Sequence, residues 1–336
     1  MVISERVPLT CQCGSSSFSK VQKKYKCGAC GTTDVRNFTT VDTPASQNRG
    51  IEQLLSDRLS EEVRTFDADK INQALCVNFN HSEPIAIVAF GDPHLDDAGT
   101  SMSKIIEDLK YVKENPNVFG VCVGDLANNW VGRLQALYGE QNTTVAESWM
   151  LVEWFCKEIP WLAMVLGNHD KWNQGLEVLK QITSGKIVQA DECSFLLKFA
   201  NGAEISVNAR HKWSGNSMWN PAHGVAKYAH FGGDYDILLG GHTHQSAYVQ
   251  VLATRSHRIT HCLQLSSYKL LDSYARSEGF RKHNIAPSMC LVIDPMAERE
   301  EDKIIVTYSI SKGIALQKAL LEQHRAAKKT SVRKKK

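Results

Sequence analysis

The chain has 336 residues, 43% of them hydrophobic and 22% charged, with a formal net charge of +3. That is the composition of a soluble globular protein with room for a large core and a smaller attachment, and it excludes collagenous, disordered and membrane-embedded classes. The small net charge by itself names no partner. No segment has the length of a membrane span or the pattern of a secretory leader, so the expected compartment is the cytoplasm.

The ten cysteines fall into two sets. Cys76, Cys122, Cys156, Cys193, Cys262 and Cys290 are scattered in mostly apolar settings and read as small buried hydrophobes. Cys11-Gln12-Cys13-Gly14 and Cys27-Gly28-Ala29-Cys30-Gly31 form two glycine-followed pairs, the first separated by one residue and the second by two. They look like the two knuckles of a zinc ribbon, in which Cys11, Cys13, Cys27 and Cys30 hold one structural zinc as four thiolates. Between them Lys20, Lys23, Lys24 and Lys26 surround Tyr25, a patch suited either to phosphates or to a solvated hairpin face.

From Asn37 to Asn48 the Thr, Ser, Pro and Gln content predicts a linker, and Ile51, Leu54, Leu55, Leu59, Val63 and Phe66 then recur at helical spacing. After Pro84 the character changes. Ile85 to Phe90 is a continuous apolar run, hence a buried strand, ending in Gly91-Asp92-Pro93-His94. A helix carries Met102, Ile105, Ile106, Leu109 and Val112 on one face and stops near Pro116. Val118 to Val123 is the next strand, ending in Gly124-Asp125-Leu126-Ala127-Asn128. Thr144 and Glu147 are spaced as a capping box for a third helix. Trp161 to Val165 is a strand that ends in Leu166-Gly167-Asn168-His169-Asp170. The alternation predicts an α/β array with a parallel core.

The second half turns toward β. Phe195 to Phe199 and Glu204 to Asn208 flank an Asn201-Gly202 turn, with His211 just beyond. Asp236 to Leu239 ends in Gly240-Gly241-His242-Thr243-His244, and further strands are expected around 247–252, 259–265, 289–293 and 304–310. A helix from Ile314 to Ala327 leads into a run rich in Lys and Arg.

Asp92, His94, Asp125, Asn168, His169, His211, His242 and His244 all sit at strand ends, where open α/β sheets present their chemistry. Mixed oxygen and imidazole donors suit manganese, iron(II), zinc or nickel better than calcium. The set is too large for one ion and right for two if one carboxylate bridges. Two ions roughly 3.5–4 Å apart can clamp the attacking and leaving oxygens at phosphorus, and can bring a bound water's pKa to roughly 7.

The order Gly-Asp-x-His, Gly-Asp-x-x-Asn, Gly-Asn-His-Asp, His, Gly-His-x-His resembles the calcineurin-like metallophosphoesterases, over roughly Pro84 to Ile310. The resemblance implies two packed mixed β-sheets flanked by helices, in four layers. It gives Asp92, His94 and His244 to one divalent ion, and Asn168, His211 and His242 to the other, with Asp125 shared. His169 would stabilise the phosphoryl group or protonate the leaving oxygen, with Asp170 steering its ring. His223 or His230 could stand in for His211. The stretch from His211 to Gly224 is similar to a phage and prophage subset labelled DNA-repair-exonuclease-like. The domain order expected is a zinc-ribbon-like segment over 1–38, linker and helix over 39–83, the phosphoesterase over 84–312, and a C-terminal helix with basic tail over 313–336.

The metal motifs do not choose among phosphate esters. The ribbon, the basic tail, and Trp130, Trp172, Trp213 and Trp219, each closely following a site residue, point to a phosphodiesterase on DNA or RNA by hydroxide attack. Those tryptophans could equally wall the loops. The alternatives are a phosphomonoesterase for a nucleotide or phosphoprotein, and a non-catalytic nucleic-acid-binding module. The ribbon could also hold a protein partner; no membrane partner is expected. His81, His257, His261, His283 and His324 read as ordinary histidines.

Overall fold

The structure is a computed structural model and describes residues 9–11, 18–21, 24–31, 38–40, 51–71, 75–183, 188–215, 217, 219–252, 258–270 and 286–334. The chain divides into two compact units, Met1–Ile71 and Asn72–Lys336. In the first, four short strands are β1 (Leu9–Cys11), β2 (Phe18–Val21), β3 (Lys24–Cys27) and β4 (Phe38–Thr40). β1 pairs antiparallel with β4, and β2 with β3. The stretch expected to be a linker therefore begins as a strand, because Phe38 and the β-branched Thr39 and Thr40 find backbone partners in β1. Of the four cysteines expected to hold zinc, Cys30 is exposed, Cys13 lies outside the described residues, and so do the side chains of Cys11 and Cys27. Helix α1 (Ile51–Ile71) closes this unit and has Ile51, Leu54, Leu55 and Leu59 exposed.

The second unit opens with β5 (Leu75–Asn78), a short strand that the sequence does not announce. Then come β6 (Ile85–Phe90), α2 (Met102–Lys113), β7 (Val118–Cys122), α3 (Val145–Glu158) and β8 (Trp161–Val165). Next are α4 (Asn168–Lys171), α5 (Gly175–Ile182), β9 (Val188–Gln189), β10 (Glu192–Lys198), β11 (Glu204–Arg210) and α6 (His223–Phe231). The last are β12 (Ile237–Gly240), β13 (Ala247–Leu252), β14 (Ile259–Gln264), β15 (Ser288–Ile293), β16 (Ile304–Thr307) and α7 (Ile310–Lys334).

These strands make two mixed six-stranded sheets, ordered β16-β15-β6-β7-β8-β9 and β13-β14-β12-β11-β10-β5. One apolar core lies between them: Ile85, Ile87 and Ala89 of β6 and Val121 of β7 meet Phe195 and Leu197 of β10 and Val207 of β11. The opposite residues of β6, Ala86, Val88 and Phe90, pack with α2, α3, α5 and α7 through Ile105, Phe155, Leu179 and Ile314. On the far side of the second sheet Leu238 and Cys262 pack with α6 through Val225 and Ala229. The result is four layers, helices on sheet on sheet on helices. Every residue of β6 is buried because its sheet is covered on both faces, which is why the strand is apolar without alternation. The α3 capping box is formed as read, with Thr144 Oγ1 accepting from Glu147 N at 3.2 Å and Thr144 N donating to the Glu147 carboxylate at 2.8 Å. Among the described residues no helix is long and apolar enough to cross a membrane.

Direction matters more than layer count for function. β6, β7 and β8 are parallel neighbours, so Asp92, Asp125 and Asn168 emerge at one edge of the first sheet. β11 and β12 are parallel in the second sheet, and His211 and His242 follow their carboxyl ends. The two edges face each other across the core, so five strand ends converge.

Candidate metal centre

Two groups of donors stand together at this convergence: Asp92, His94 and His244, and Asp125, His211 and His242, the ligand atoms in each group lying within 4.8 Å of one another. Asn168 joins the second group, its Oδ1 3.1 Å from His211 Nε2. His211 Nε2 also lies 3.1 Å from His242 Nδ1 and 3.2 Å from the Asp125 carboxylate. Its other nitrogen, Nδ1, donates to the Val123 carbonyl at 2.8 Å, which orients the ring with Nε2 toward the other donors. In the first group His244 Nε2 is 3.3 Å from the Asp92 carboxylate, and the His94 and His244 rings meet edge to face. Asp125 Oδ2 reaches both groups, 3.2 Å from His211 Nε2 and 3.9 Å from His94 Nε2.

This is an arrangement of acceptors that wants positive charge. Both ring nitrogens of His94 and Oδ1 of Asp92 are buried with no hydrogen-bond partner among the described residues. Such atoms are costly inside a protein unless something satisfies their lone pairs, and a divalent cation does so. Burial, and after it the Lys269 charge, holds the His94 pKa well below its ordinary value, so the ring is the neutral species that ligates metals. Burial would lower His211 as well, but its hydrogen bond to Asp125 and the Asp92 charge reverse the sign and bring it to about 9. Burial would raise Asp125, yet the His211 hydrogen bond and charge carry it below the usual carboxylate range. The residues present therefore fit a pair of divalent ions, in number, in donor type and in electrostatic demand.

Local backbone explains how the donors are aimed. His94, Asp125, His242 and His244 have φ of 42°, 53°, 72° and 53°, in the left-handed region that side chains rarely enter. Four such residues at one site mark a backbone bent by its surroundings to deliver ligands. Two glycines give the carboxylates room: a Cβ on Gly167 would lie 2.0 Å from Asp125 Oδ1, and one on Gly241 would lie 2.4 Å from Asp92 Oδ1.

His169 stands beside both groups without belonging to either, its Nε2 3.9 Å from the Asp125 carboxylate and its ring 5.2 Å from that of His94. Its Nδ1 donates to the Asn128 carbonyl, leaving Nε2 toward the metal side. Trp172 lies against the ring at 4.3 Å and Trp130 meets it edge to face at 5.1 Å. Burial lowers the pKa of His169.

The expectation that Asp170 steers this ring does not hold. Its carboxylate points the other way and accepts three backbone N–H groups, from Asp125 at 2.7 Å, Leu126 at 2.8 Å and Gly167 at 2.8 Å. It ties two strand ends together, and the Asn128 carbonyl takes the role assigned to it. Replacing Asp170 by Ala leaves three N–H groups without acceptors in a buried site. The expected cost is about 3 kcal/mol or more, read as a fall in Tm of roughly 6–12 °C by calorimetry. A shift below about 2 °C would show the bracket to be dispensable.

His223 and His230, the alternatives to His211, lie exposed on α6 outside the ligand groups. His81, His261 and His324 have ordinary partners in Glu83 N, the Tyr248 hydroxyl and Asp294, while His257 and His283 lie outside the described residues. Of the four tryptophans, Trp130 and Trp172 flank His169. Trp213 packs with α6 and donates to the Leu239 carbonyl at 2.9 Å, and Trp219 is 93% exposed. Sequence reasoning missed Asn129, Asp97 and Lys269. Lys269 is buried, 2.8 Å from the Asp97 carboxylate and 5.2 Å from the Trp130 ring centroid. Neither Asp97 nor Lys269 belongs to a recognisable motif, so only the fold reveals them.

Residues 85–246 match the calcineurin-like phosphoesterase family. The chain carries a calcineurin-like phosphoesterase domain. A curated relative, mitochondrial ferrochelatase of Xenopus laevis, is 27% identical over 123 residues, 37% of this chain but only 29% of that protein's length. Among solved structures the chain is similar to a Vps29 single mutant from Entamoeba histolytica, at 14% identity and TM-score 0.37 over 66% of this chain and 97% of that one. The NAD nucleotidase of Haemophilus influenzae aligns at 11% identity and TM-score 0.38 over 68% of this chain and 50% of that one. A phosphatase from Mycoplasma pneumoniae aligns at 13% identity and TM-score 0.35 over 67% of this chain and 92% of that one. Likenesses this low bear on neither substrate nor partner. The calcineurin-like domain itself is that of a metal-dependent phosphoester hydrolase, and its two candidate ligand groups accord with a family that binds two divalent metals.

Proposed function

We propose that the chain is a two-metal phosphodiesterase acting on DNA or RNA. The observation that carries the two-metal part is Asp125, whose one carboxylate oxygen stands within 3.9 Å of donors from both groups. Asp92, His94 and His244 would hold one ion, and Asn168, His211 and His242 the other, with Asp125 common to both. When bound, such ions polarise a phosphoryl oxygen and make water acidic enough to attack it; oxygen and imidazole donors suit manganese, iron(II), zinc or nickel. Protonated on both nitrogens, His169 presents Nε2–H on the same side, where it can donate to the phosphoryl group or hand that proton to the departing ester oxygen and be left as the neutral Nδ1–H tautomer. Its Nδ1–H, spent on the Asn128 carbonyl, keeps the ring from turning away.

Nucleic acid is supported by what surrounds His211. Lys212 follows it directly and is exposed. The loop passing through Gly215 lies against His223 and Lys227 of α6, which are exposed, and the same loop carries Trp219 into solvent. Cations and a bare indole beside a phosphoesterase centre are what a base and its phosphates would meet. We also assign the four N-terminal cysteines to a structural zinc, and the unit that carries them to substrate or partner choice.

The deciding experiment compares bis-p-nitrophenyl phosphate with p-nitrophenyl phosphate in manganese, then single- and double-stranded DNA and RNA. The diester and at least one nucleic acid are expected to turn over, with Trp219→Ala weakening oligonucleotide binding by roughly 5-fold or more, the scale of one stacked base, and sparing the small diester. Turnover of monoesters alone would replace the nuclease reading by a phosphomonoesterase. Oligonucleotide binding with no hydrolysis of any ester would leave a binding module.

A further inference from the structure

His169 rides on α4, a helix of one turn, and one turn does not hold itself. Its N-terminal end is fastened by Asp170, through the bonds already described. Its C-terminal carbonyls are fastened from another loop: Asn129 Nδ2 donates to the His169 carbonyl at 3.0 Å and to the Trp172 carbonyl at 2.6 Å. The His169 carbonyl also accepts the Trp172 backbone N–H, so this amide adds a second donor there and extends the cap to the Trp172 carbonyl, which ties the turn to a distant loop. Asn129 is 5% exposed and sits at φ 41°, a conformation that asparagine tolerates better than most residues. Its Oδ1 accepts from Asn173 Nδ2 at 3.2 Å, and that same Nδ2 donates to the Trp130 carbonyl at 3.1 Å. The residue before it, Asn128, supplies the carbonyl that takes the His169 Nδ1–H. One loop thus grips both the ring and the backbone of His169.

We propose that Asn129 is a positioning residue for His169. It holds the turn so that Nε2 faces the ester's departing oxygen and so that Trp172, on the same cap, stays against the ring. The inference rests on the phosphoesterase reading with His169 as proton donor. Help from a proton donor matters most when the departing oxygen is basic and least when it leaves readily. A misplaced His169 therefore shows itself as a dependence on leaving group, which a general loosening of the fold would not produce.

The test uses Asn129→Gly, which removes the amide without straining a left-handed backbone, and Asn129→Asp, which keeps the shape and removes the donor hydrogens. On aryl phosphodiesters of rising leaving-group pKa, both are expected to lower kcat about 10-fold or more for the poorest leaving groups and less than about 2-fold for 4-nitrophenol. KM and bound metal stay at wild-type values. In a His169→Asn background neither substitution changes kcat further, because the group it positions is gone. By NMR on the full chain loaded with zinc, exchange of the His169 Nδ1 proton quickens about 10-fold or more in Asn129→Gly. An equal fall for all leaving groups, lost metal, an undiminished effect beside His169→Asn, or unaltered proton exchange overturns the inference and leaves the phosphoesterase reading standing. A wild-type chain that hydrolyses no phosphoester overturns both.

Discussion

Asp125→Ala is expected to empty both metal positions together and to lower phosphoester hydrolysis by at least about 10³-fold. A single electrostatic stabiliser in a dry site is already worth about 10²–10³, and this carboxylate serves more than one. Its Oδ2 lies between the two donor groups, and its Oδ1 accepts the His169 backbone N–H at 3.0 Å. Losing it removes the shared ligand, the counter-charge of His211 and a fastening of the His169 turn at once. Metal content per chain, measured by mass spectrometry after gel filtration, is the check. Loss of one ion with full retention of the other would disprove sharing.

His169→Asn has the second largest expected effect, and the opposite signature. The ring belongs to neither donor group, so bound metal is expected to stay at the wild-type level while turnover falls by roughly 10²–10⁴-fold, the worth of a placed proton donor. Asparagine can still donate to the Asn128 carbonyl, so the loop keeps a partner. The measurement is kcat beside metal content on one preparation, and unchanged turnover would remove His169 from the chemistry.

Much of this centre was legible before any coordinates, for a reason that lies in the strands. A parallel strand covered on both faces is written as an unbroken apolar run, as in Ile85–Phe90, and its carboxyl end is marked by a glycine and a change to polar residues. Asp92, Asp125, Asn168 and His242 could be placed on those grounds. His211 was harder: β11 alternates, no glycine marks its end, and it is the trio of contacts at Nε2 that places it beside the other candidate ligands. Asp170 was given the wrong task because adjacency in sequence suggested contact with His169, whereas successive residues in a helical turn point in different directions. Asn129 was passed over since its bonds run to residues 40 and 43 positions away. β5 was missed because an exposed edge strand of four residues lacks the apolar run that marks an interior one.

The family match ends at residue 246, whereas the sheets do not. β6 has β7 on one flank and β15 on the other, and β12 lies between β11 and β14. A fragment stopping at 246 would leave each of these central strands with a bare flank of amide and carbonyl groups, an open invitation to intermolecular stacking and insolubility. The family match marks out the catalytic loops; the smallest piece expected to fold is longer, because its central strands are completed by β14 and β15, which lie beyond residue 246.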